Sequence, residues 1–208
     1  MVIIWIPLLI GLFFGLIPPR SLMKSEVRYL DFEYLWTKAI RPPVDERWRR
    51  SWWKLPLVWI DPVRGYVVAM FIMEAFPRVA SGSGLSPYPR LITFTILLLF
   101  SLWIQTTGRK RAGETISPTG FLAGMLLALL PPEISVPVLI IGGATIIAVR
   151  EYVYGYIAAF LFFVGLGAAV RGTGLGAILF LITPGCLILL PLVVNWLRGT
   201  RLVVPVRC

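Results

Sequence analysis

The sequence contains no histidine and only two cysteines among its 208 residues. Without histidine, the chain has no imidazole ligand for haem or zinc and no imidazole base for a serine or cysteine nucleophile. Cys186 lies within an apolar run and Cys208 lies far from it, so the pair has no metal-ligand spacing and predicts no disulfide. The sequence therefore predicts no metal site and no cofactor, and it favours a non-catalytic role.

Charged residues are also scarce, at 14% of the chain, whereas hydrophobic residues make up 58%. Soluble domains usually contain about 25% charged residues, which cover the surface that faces water. The charged residues of this chain are too few for such a surface. The composition therefore indicates an integral membrane protein in which lipid replaces water around most of the chain.

Apolar runs separated by short Pro, Gly or charged segments recur along the whole sequence. They occupy residues 2–17, 65–76, 91–104, 118–130, 135–149, 153–170 and 175–197. In a membrane such runs form helices, because a helix satisfies its own backbone hydrogen bonds. We therefore predict an all-α integral membrane protein, a compact bundle of about seven transmembrane helices (six to seven).

Two details of this bundle stay open at the level of sequence. The run 118–130 is short for a hydrocarbon core of about 30 Å, so 118–149 forms either two short spans, which we favour, or a re-entrant pair turned at Pro131 and Pro132. The first run has no Lys or Arg before Arg20 and no Ala. We therefore expect a retained helix rather than a cleaved signal peptide.

The chain divides into four regions by composition. Residues 1–19 form the first transmembrane helix, 20–64 a cytoplasmic or interfacial segment, 65–197 the helical bundle and 198–208 a cytoplasmic tail. Within the second region, apolar residues recur at helical spacing, which predicts an amphipathic interfacial helix over 22–40. Residues 55–60 are expected at the membrane interface, with the second span beginning near Gly65.

Indole and cationic side chains alternate near the end of this polar region. The residues are Arg47, Trp48, Arg49, Arg50, Trp52, Trp53 and Lys54. Tryptophan prefers the headgroup layer, and Lys and Arg pair with lipid phosphates there. This segment is predicted to bind membrane lipids, with docking of another protein subunit as the alternative.

The distribution of Lys and Arg predicts the orientation of the chain. With the N-terminus outside and seven spans, seventeen of the twenty Lys and Arg lie inside, and only Arg78, Arg90 and Arg171 lie outside. Positive charge collects on the cytoplasmic side of membrane proteins. We therefore predict a cytoplasmic C-terminus, and no nucleic-acid partner despite the net charge of +10. The short loops and unadorned ends suggest a prokaryotic cytoplasmic (inner) membrane.

Three residues within the apolar runs are candidates for a ligand or ion site: Glu74, Pro184 and Asn195. Glu74 is an acid inside an apolar run, which suggests a proton or cation site, although it also lies close enough to Arg78 to pair with it. Pro184 interrupts the last run, and a broken helix exposes carbonyl oxygens. A simple proline kink is the alternative interpretation.

Two further patterns predict structure rather than a ligand. Asp61 and Arg64 are spaced to form a local ion pair before the second span. Gly11 with Gly15, and Gly120 with Gly124, have the four-residue spacing that lets membrane helices approach closely. These glycines predict a compact bundle that is able to associate with other subunits.

We expect from these features a non-catalytic integral membrane subunit, a scaffold or anchor within a larger multi-protein membrane complex. The alternative is a small-solute or ion transporter, or its substrate-binding membrane subunit, in which Glu74 and the break at Pro184 are the working parts. A third class, a lipid-modifying enzyme with arginines on phosphate, has no residue constellation to support it.

Overall fold

The computed structural model describes most of the chain but not all of it. The described residues are 3–18, 27–30, 56–77, 88–106, 114–149, 151–172, 175–199 and 201–207. The docking segment predicted at 47–54 therefore lies outside the described residues.

Seven helices and three strands make up the described residues. The helices are α1 (Trp5–Leu16), α2 (Pro56–Ala75), α3 (Tyr88–Thr106), α4 (Thr119–Leu129), α5 (Pro132–Val149), α6 (Tyr152–Arg171) and α7 (Leu175–Arg198). The strands are β1 (Val27–Leu30), β2 (Glu114–Ile116) and β3 (Arg201–Arg207).

Four of the described helices are long and apolar enough to cross a membrane: Tyr88–Thr106, Pro132–Val149, Tyr152–Arg171 and Phe180–Arg198, the last being the greater part of α7. Helices α1 and α4 are apolar but shorter. The prediction of a multi-pass helical membrane protein is thereby confirmed. The larger number of seven spans stays a prediction.

Glycine and proline end the helices where the sequence requires it. Gly172 has a φ of 75° and donates its N–H to the carbonyl of Ala168, which closes the last turn of α6. Gly199 ends α7 with a φ of 55° and donates its N–H to the carbonyl of Trp196, three residues earlier. Only glycine adopts this left-handed conformation without strain. Pro131 stops α4, because its ring and missing N–H prevent the helix from continuing.

Each helix packs on a small set of neighbours. Helix α2 lies between α1 and α4, and α1 also touches α3. Helix α6 lies between α5 and α7, and α7 in turn packs on α3. The bundle thus has an α1–α2–α4 side and an α5–α6–α7 side, joined mainly through the contact of α3 with α7.

The core at the centre of the bundle is built from large apolar side chains. Those with almost no exposed surface include Ile72, Phe76, Leu98, Leu102, Phe121, Met125, Ile134, Phe163, Leu187 and Ile188. They come from both sides of the bundle, so a single core holds the helices together. Dispersion contacts between such side chains are a main source of stability in a membrane, where lipid is as apolar as the core.

The strands correct the prediction for the segments outside the bundle. Val27–Leu30 lies within the predicted amphipathic helix 22–40, but it is a strand, and Arg201–Arg207 of the predicted tail is a second strand. Together with β2 they form a three-stranded sheet in the order β1-β3-β2. Local helical periodicity gave the wrong prediction at 27–30 because strand formation depends on a pairing partner far along the chain.

The sheet combines antiparallel and parallel pairing around β3. Strand β1 is antiparallel to β3, with Tyr29 opposite Pro205, whereas β2 is parallel to it, with Thr115 opposite Leu202. Strand β2 pairs only with residues 201–203 of β3. Pro205, which lacks an N–H, therefore lies where β3 has a neighbour on one side only, a position that tolerates proline.

Helix α2 begins earlier than the predicted second span. It is one continuous helix from Pro56, although Pro62 and Gly65 lie inside it and the sequence placed residues 55–60 at the interface. Proline in a helix removes one hydrogen bond, and glycine lowers helix propensity. Tight packing against α4 at these same two residues offsets both effects.

Residues 118–149 form two helices joined at Leu130 and Pro131, an arrangement that fits both two short spans and a re-entrant pair. The two helices have few contacts with each other, so they diverge from the turn. Helix α4 packs on α2 and α5 packs on α6. Whether both cross the membrane stays a prediction.

Candidate functional site

A buried arginine lies at the centre of the most connected polar cluster among the described residues. Arg64, in α2, is only 5% exposed. Its Nη1 donates to Oδ1 of Asp61 at 2.8 Å, one helical turn earlier. Its Nη2 donates to the carbonyl oxygens of Ile17, at 2.5 Å, and Phe14, at 3.2 Å.

Gln105, near the end of α3, binds the same end of α1. Its Nε2 donates to the carbonyl oxygens of Gly15, at 2.8 Å, and Ile17, at 3.0 Å. The side-chain carbonyl of Gln105 also accepts a longer hydrogen bond from Arg64, at 3.5 Å. We call Asp61, Arg64 and Gln105, with the carbonyls of Phe14, Gly15 and Ile17, the Arg64 cluster.

The electrostatics of this cluster explain why a buried cation is tolerated. The last carbonyl groups of a helix have no partner within the helix and carry partial negative charge. Arg64 binds the carbonyl of Phe14 in the last turn of α1 and that of Ile17 just after it, while Asp61 balances its formal charge. Its guanidinium also lies over the ring of Phe121, 5.5 Å from the centroid. Nε of Arg64 has no hydrogen-bond partner within the part of the chain that the structure describes.

Glycines bring α2 and α4 close enough to enclose the cluster. A Cβ on Gly65 would overlap the carbonyl of Phe121, and a Cβ on Gly124 would overlap the carbonyl of Pro62. Gly120 also lies on Pro62, where a Cβ would be 3.2 Å from Cδ. The predicted role of Gly120 and Gly124 in close helix approach is confirmed.

The other predicted glycine pair packs α1 on its neighbours. A Cβ on Gly11 would lie 2.9 Å from Cγ1 of Ile72, and one on Gly15 would lie 2.6 Å from Oγ of Ser101. Helix α1 therefore turns its small residues towards α2 and α3. Its C-terminal end then lies directly over Arg64 and Gln105.

Two further buried polar pairs join helices elsewhere in the bundle. The hydroxyls of Thr95 and Thr183 are 2.6 Å apart and connect α3 with α7. The hydroxyls of Ser117 and Tyr156 are 3.0 Å apart and connect the segment before α4 with α6. Within each pair, one hydroxyl donates a hydrogen bond to the other.

The structure does not bring the three predicted ligand residues together. Glu74 is exposed at the end of α2, and its predicted partner Arg78 lies outside the described residues. Pro184 and Asn195 are both in α7, but eleven residues of helix separate them by about 16 Å. Helix α7 continues through Pro184, which is buried near its middle beside the Thr95–Thr183 pair, whereas Asn195 lies near the C-terminal end of α7.

Asn195 nevertheless has an unusual environment. Its Oδ1 is buried and accepts no hydrogen bond from any residue that the structure describes. Oγ of Ser135 in α5 is also buried and has no hydrogen-bond partner among the described residues. A buried polar atom without a partner is costly, so each of these oxygens is a place where a bound group or water would be stabilised.

Sequence reasoning found part of the Arg64 cluster and missed the rest. The ion pair between Asp61 and Arg64 was predicted and is confirmed at 2.8 Å. The role of Gln105, and the contact of Arg64 with α1, were not predicted. A glutamine near the end of an apolar run was the available signal, because membrane helices keep polar side chains for contacts within the protein.

Acidic and thiol side chains are dispersed in the structure. Among the described residues, no group of three or more His, Cys, Asp or Glu is arranged to hold a metal ion. No family model, curated protein or solved structure matches the chain. The function is therefore argued from the contacts described above.

Proposed function

We propose that this chain is a non-catalytic integral membrane subunit that anchors a larger membrane complex. The observation that carries the proposal is Gly165 on helix α6, a glycine against which no described residue packs. Membrane helices associate through small residues that let their backbones approach closely. A small residue left open on the outside of the bundle supports association with a helix from another chain.

Helix α6 uses its other glycines for packing inside the bundle. A Cβ on Gly155 would overlap Ile146 of α5, and one on Gly167 would overlap Leu181 of α7. Gly165 lies on the exposed surface with Ala169 one turn later, and no described residue comes within 4 Å of a Cβ placed on Gly165. A helix from another chain therefore has room to pack closely against α6 at Gly165.

The buried polar side chains support a structural role as well. Donors of Arg64 and Gln105 bind the end of α1, and the Thr95–Thr183 pair joins α3 to α7. These groups hold helices together and are largely engaged with one another. A subunit whose task is to present a rigid surface benefits from such bonds.

The proposal is tested by purification in mild detergent with two matched variants. We expect the wild-type chain to elute with a second membrane protein in fixed stoichiometry. Gly165→Leu should lose that partner because a leucine fills the contact, whereas Val164→Leu, at the exposed neighbouring position, should keep it. A wild-type chain that elutes alone would overturn the proposal.

We further propose that the N-terminus is outside and the C-terminus cytoplasmic, in a prokaryotic inner membrane. The sheet supports this orientation because it unites three segments that the orientation places on one side, those that follow α1, α3 and α7. Helices α2 and α3 lie between the first two segments, and α4 to α7 between the last two. Two helices and then four helices separate these segments. An even number of crossings returns the chain to the same side of the membrane, as the seven-span orientation requires.

The orientation is tested with compartment reporters fused at Gly82 and Gly113. We expect a periplasmic signal at Gly82 and a cytoplasmic signal at Gly113. The same compartment for both fusions would contradict the orientation and the assignment of α3 as a span.

A small-solute or ion transporter is the second candidate, favoured by Asn195 alone. Its buried Oδ1 lies in α7, which continues as one helix through Pro184 and Pro191, and each proline leaves the carbonyl four residues earlier without its helical hydrogen bond. Free carbonyl and amide oxygens are suitable ligands for a cation. Uptake in vesicles that is unaffected by Asn195→Leu would remove this candidate.

A further inference from the structure

The helices of the bundle differ in length between its two sides. Helix α1 has 12 residues and α4 has 11, which correspond to about 18 Å and 16 Å of helix. On the other side, α5 has 18 residues and α6 has 20, or about 27 Å and 30 Å. A typical hydrocarbon core is about 30 Å thick.

Hydrogen bonds to α2 fix the positions of both ends of α1. The N–H of Ile4 donates to the carbonyl of Ala75 at 2.9 Å, and the carbonyl of Ile17 accepts from Arg64. The two ends of α1 are therefore tied to α2 at residues eleven positions apart, a rise of about 16 Å. The short length of α1 is thus fixed by contacts at both ends.

Charged groups lie at the same two levels of α2. Glu74 is exposed next to Ala75, and the Asp61–Arg64 pair lies beside the end of α1. Asp61 and Glu74 are thirteen residues apart, or about 20 Å. An exposed carboxylate is costly in hydrocarbon, so water or headgroups must reach Glu74.

Helix α4 leads to a second exposed carboxylate. It ends at the turn of Leu130 and Pro131, and Glu133 in the first turn of α5 is exposed. Because α4 begins beside Pro62 on α2 and is only 11 residues long, it places Glu133 no farther from that end than Glu74. Helices α2 and α4, which pack side by side, therefore indicate the same short distance between their charged ends.

The outward face of α1 shows what covers it. Its exposed residues are large and apolar: Trp5, Ile6, Leu9 and Phe13. Its small residues Gly11 and Gly15 already pack against α2 and α3. Membrane helices meet one another through small residues, so a face of large apolar side chains fits acyl chains better than a partner helix.

Helix α6 gives the contrasting case within the same protein. Between Glu151 and Arg171, which are twenty residues or about 30 Å apart, it contains no charged residue. Its apolar length matches an ordinary bilayer. The distance between the charged groups at the two ends of the apolar stretch is therefore about 30 Å along α6 and about 20 Å along α2.

We infer that the bilayer is locally thinned beside α1, α2 and α4, where lipid acyl chains contact the face formed by Trp5, Ile6, Leu9 and Phe13. A membrane segment shorter than the hydrocarbon thickness is accommodated by thinning of the bilayer, by snorkelling of flanking side chains or by oligomerisation. The large apolar side chains exposed on α1 favour thinning. The inference rests on the proposed seven spans, because α1, α2 and α4 must themselves cross the membrane. It is independent of whether the chain is a complex subunit.

Spin-label accessibility in lipid vesicles tests this inference. In a background with Cys186→Ser and Cys208→Ser, single labels are introduced by Ile6→Cys, Leu9→Cys and Phe13→Cys on α1, and by Ile157→Cys, Leu161→Cys and Val164→Cys on α6. Collision with oxygen and with a polar nickel complex gives the depth of each label in dioleoylphosphatidylcholine. All six positions are partly exposed apolar sites, and far-UV circular dichroism checks that each variant is folded.

We expect the deepest α1 label to lie about 10 Å below the headgroups and the deepest α6 label about 15 Å below, half of the respective thicknesses. Equal depths on the two helices, or a shallow maximum on both, would overturn the inference. Labels on α1 that neither oxygen nor nickel reaches would also overturn it, because a protein would then cover the face.

A second measurement uses the turn after α4. Glu133→Cys in the same cysteine-free background is exposed to a membrane-impermeant maleimide applied to both faces of the vesicles. We expect labelling within a factor of about three of Gly82→Cys, which lies in a Pro-, Ser- and Gly-rich segment of the sequence. Protection of Glu133→Cys by tenfold or more would contradict thinning at α4.

Discussion

At the scale of single residues, Arg64 shows how a membrane bundle keeps a cation inside. Removing a guanidinium from water costs several kcal/mol, and the cost is met only if its donors are bonded and its charge is balanced. Asp61 supplies the charge, and the end of α1 supplies carbonyls that would otherwise lack partners. The arginine and the helix end each provide what the other needs.

Arg64→Gln should therefore destabilise the protein. The variant leaves the carboxylate of Asp61 without its partner and the carbonyl of Phe14 without its side-chain donor, whereas the carbonyl of Ile17 keeps the hydrogen bond from Gln105. Because a buried charge is left unpaired, we expect a loss of about 3–5 kcal/mol in the free energy of unfolding. The measurement is the thermal unfolding midpoint in detergent.

Arg171→Gln is the matched control for this prediction. Arg171 is exposed at the end of α6 and contacts only the ring of Phe180 among the described interactions, with its Cζ 4.9 Å from the centroid. Its replacement should cost less than about 1 kcal/mol. Equal midpoints for Arg64→Gln and the wild type would show that the Arg64 cluster does not stabilise the fold.

At the scale of elements, glycine decides which helices touch. The backbones of α2 and α4 approach so closely at Gly65 and Gly124 that either Cβ would overlap a carbonyl of the other helix. This approach explains how α2 continues through Pro62. The packing of α4 on Pro62 and Gly65 replaces the stability that the proline and the glycine remove from the helix.

Gly65→Ala and Gly124→Ala should each force α2 and α4 apart. Overpacking of this kind costs about 1–3 kcal/mol, and neither carbonyl is able to move without moving its helix. Gly143→Ala in α5 is the control, because no described residue lies within 4 Å of a Cβ there.

The control should be neutral, or stabilising by up to about 1 kcal/mol, since alanine favours a helix more than glycine does. Unfolding midpoints of the three variants are compared in one detergent. Similar effects at Gly65, Gly124 and Gly143 would argue against the close approach of α2 and α4.

At the scale of the whole molecule, the sheet joins parts of the chain that are distant in sequence. Strand β3, near the end of the chain, pairs with β1 after the first helix and with β2 after the third. Leu202 of β3 is buried and belongs to the same core as the helices. The sheet therefore joins the segments that follow α1, α3 and α7 at one end of the bundle.

Paired cysteines test the register of this sheet. Leu30 and Val204 are opposite each other in the antiparallel pair of β1 and β3. Opposite residues of antiparallel strands have Cα atoms about 4.5–5.5 Å apart, which suits a disulfide. In the background with Cys186→Ser and Cys208→Ser, the double variant Leu30→Cys and Val204→Cys should form an intramolecular disulfide on mild oxidation.

Leu30→Cys with Val203→Cys shifts the same pair by one residue and should cross-link at least several-fold less. Mass spectrometry of non-reduced peptides measures both products. Equal cross-linking of the two pairs, or none in either, would contradict the register and with it the common side of the three segments.

The sequence by itself determined the features that depend on local composition and spacing. The long apolar runs predicted membrane helices, the spacing of Gly120 and Gly124 predicted close approach, and Asp61 with Arg64 predicted an ion pair. Each of these follows from residues within a few positions of one another. Solvent, helix periodicity and short-range charge pairing are sufficient to fix them.

The tertiary structure alone decided which distant groups meet. Val27–Leu30 is a strand because β3 lies beside it, although its local periodicity suggested a helix. Arg64 and Gln105 are donors to the end of α1 because α1 and α3 end beside the middle of α2, and nothing near either residue in sequence encodes those carbonyl partners. Backbone hydrogen-bonding groups are the same in every residue, so only the folded chain selects the partner of each.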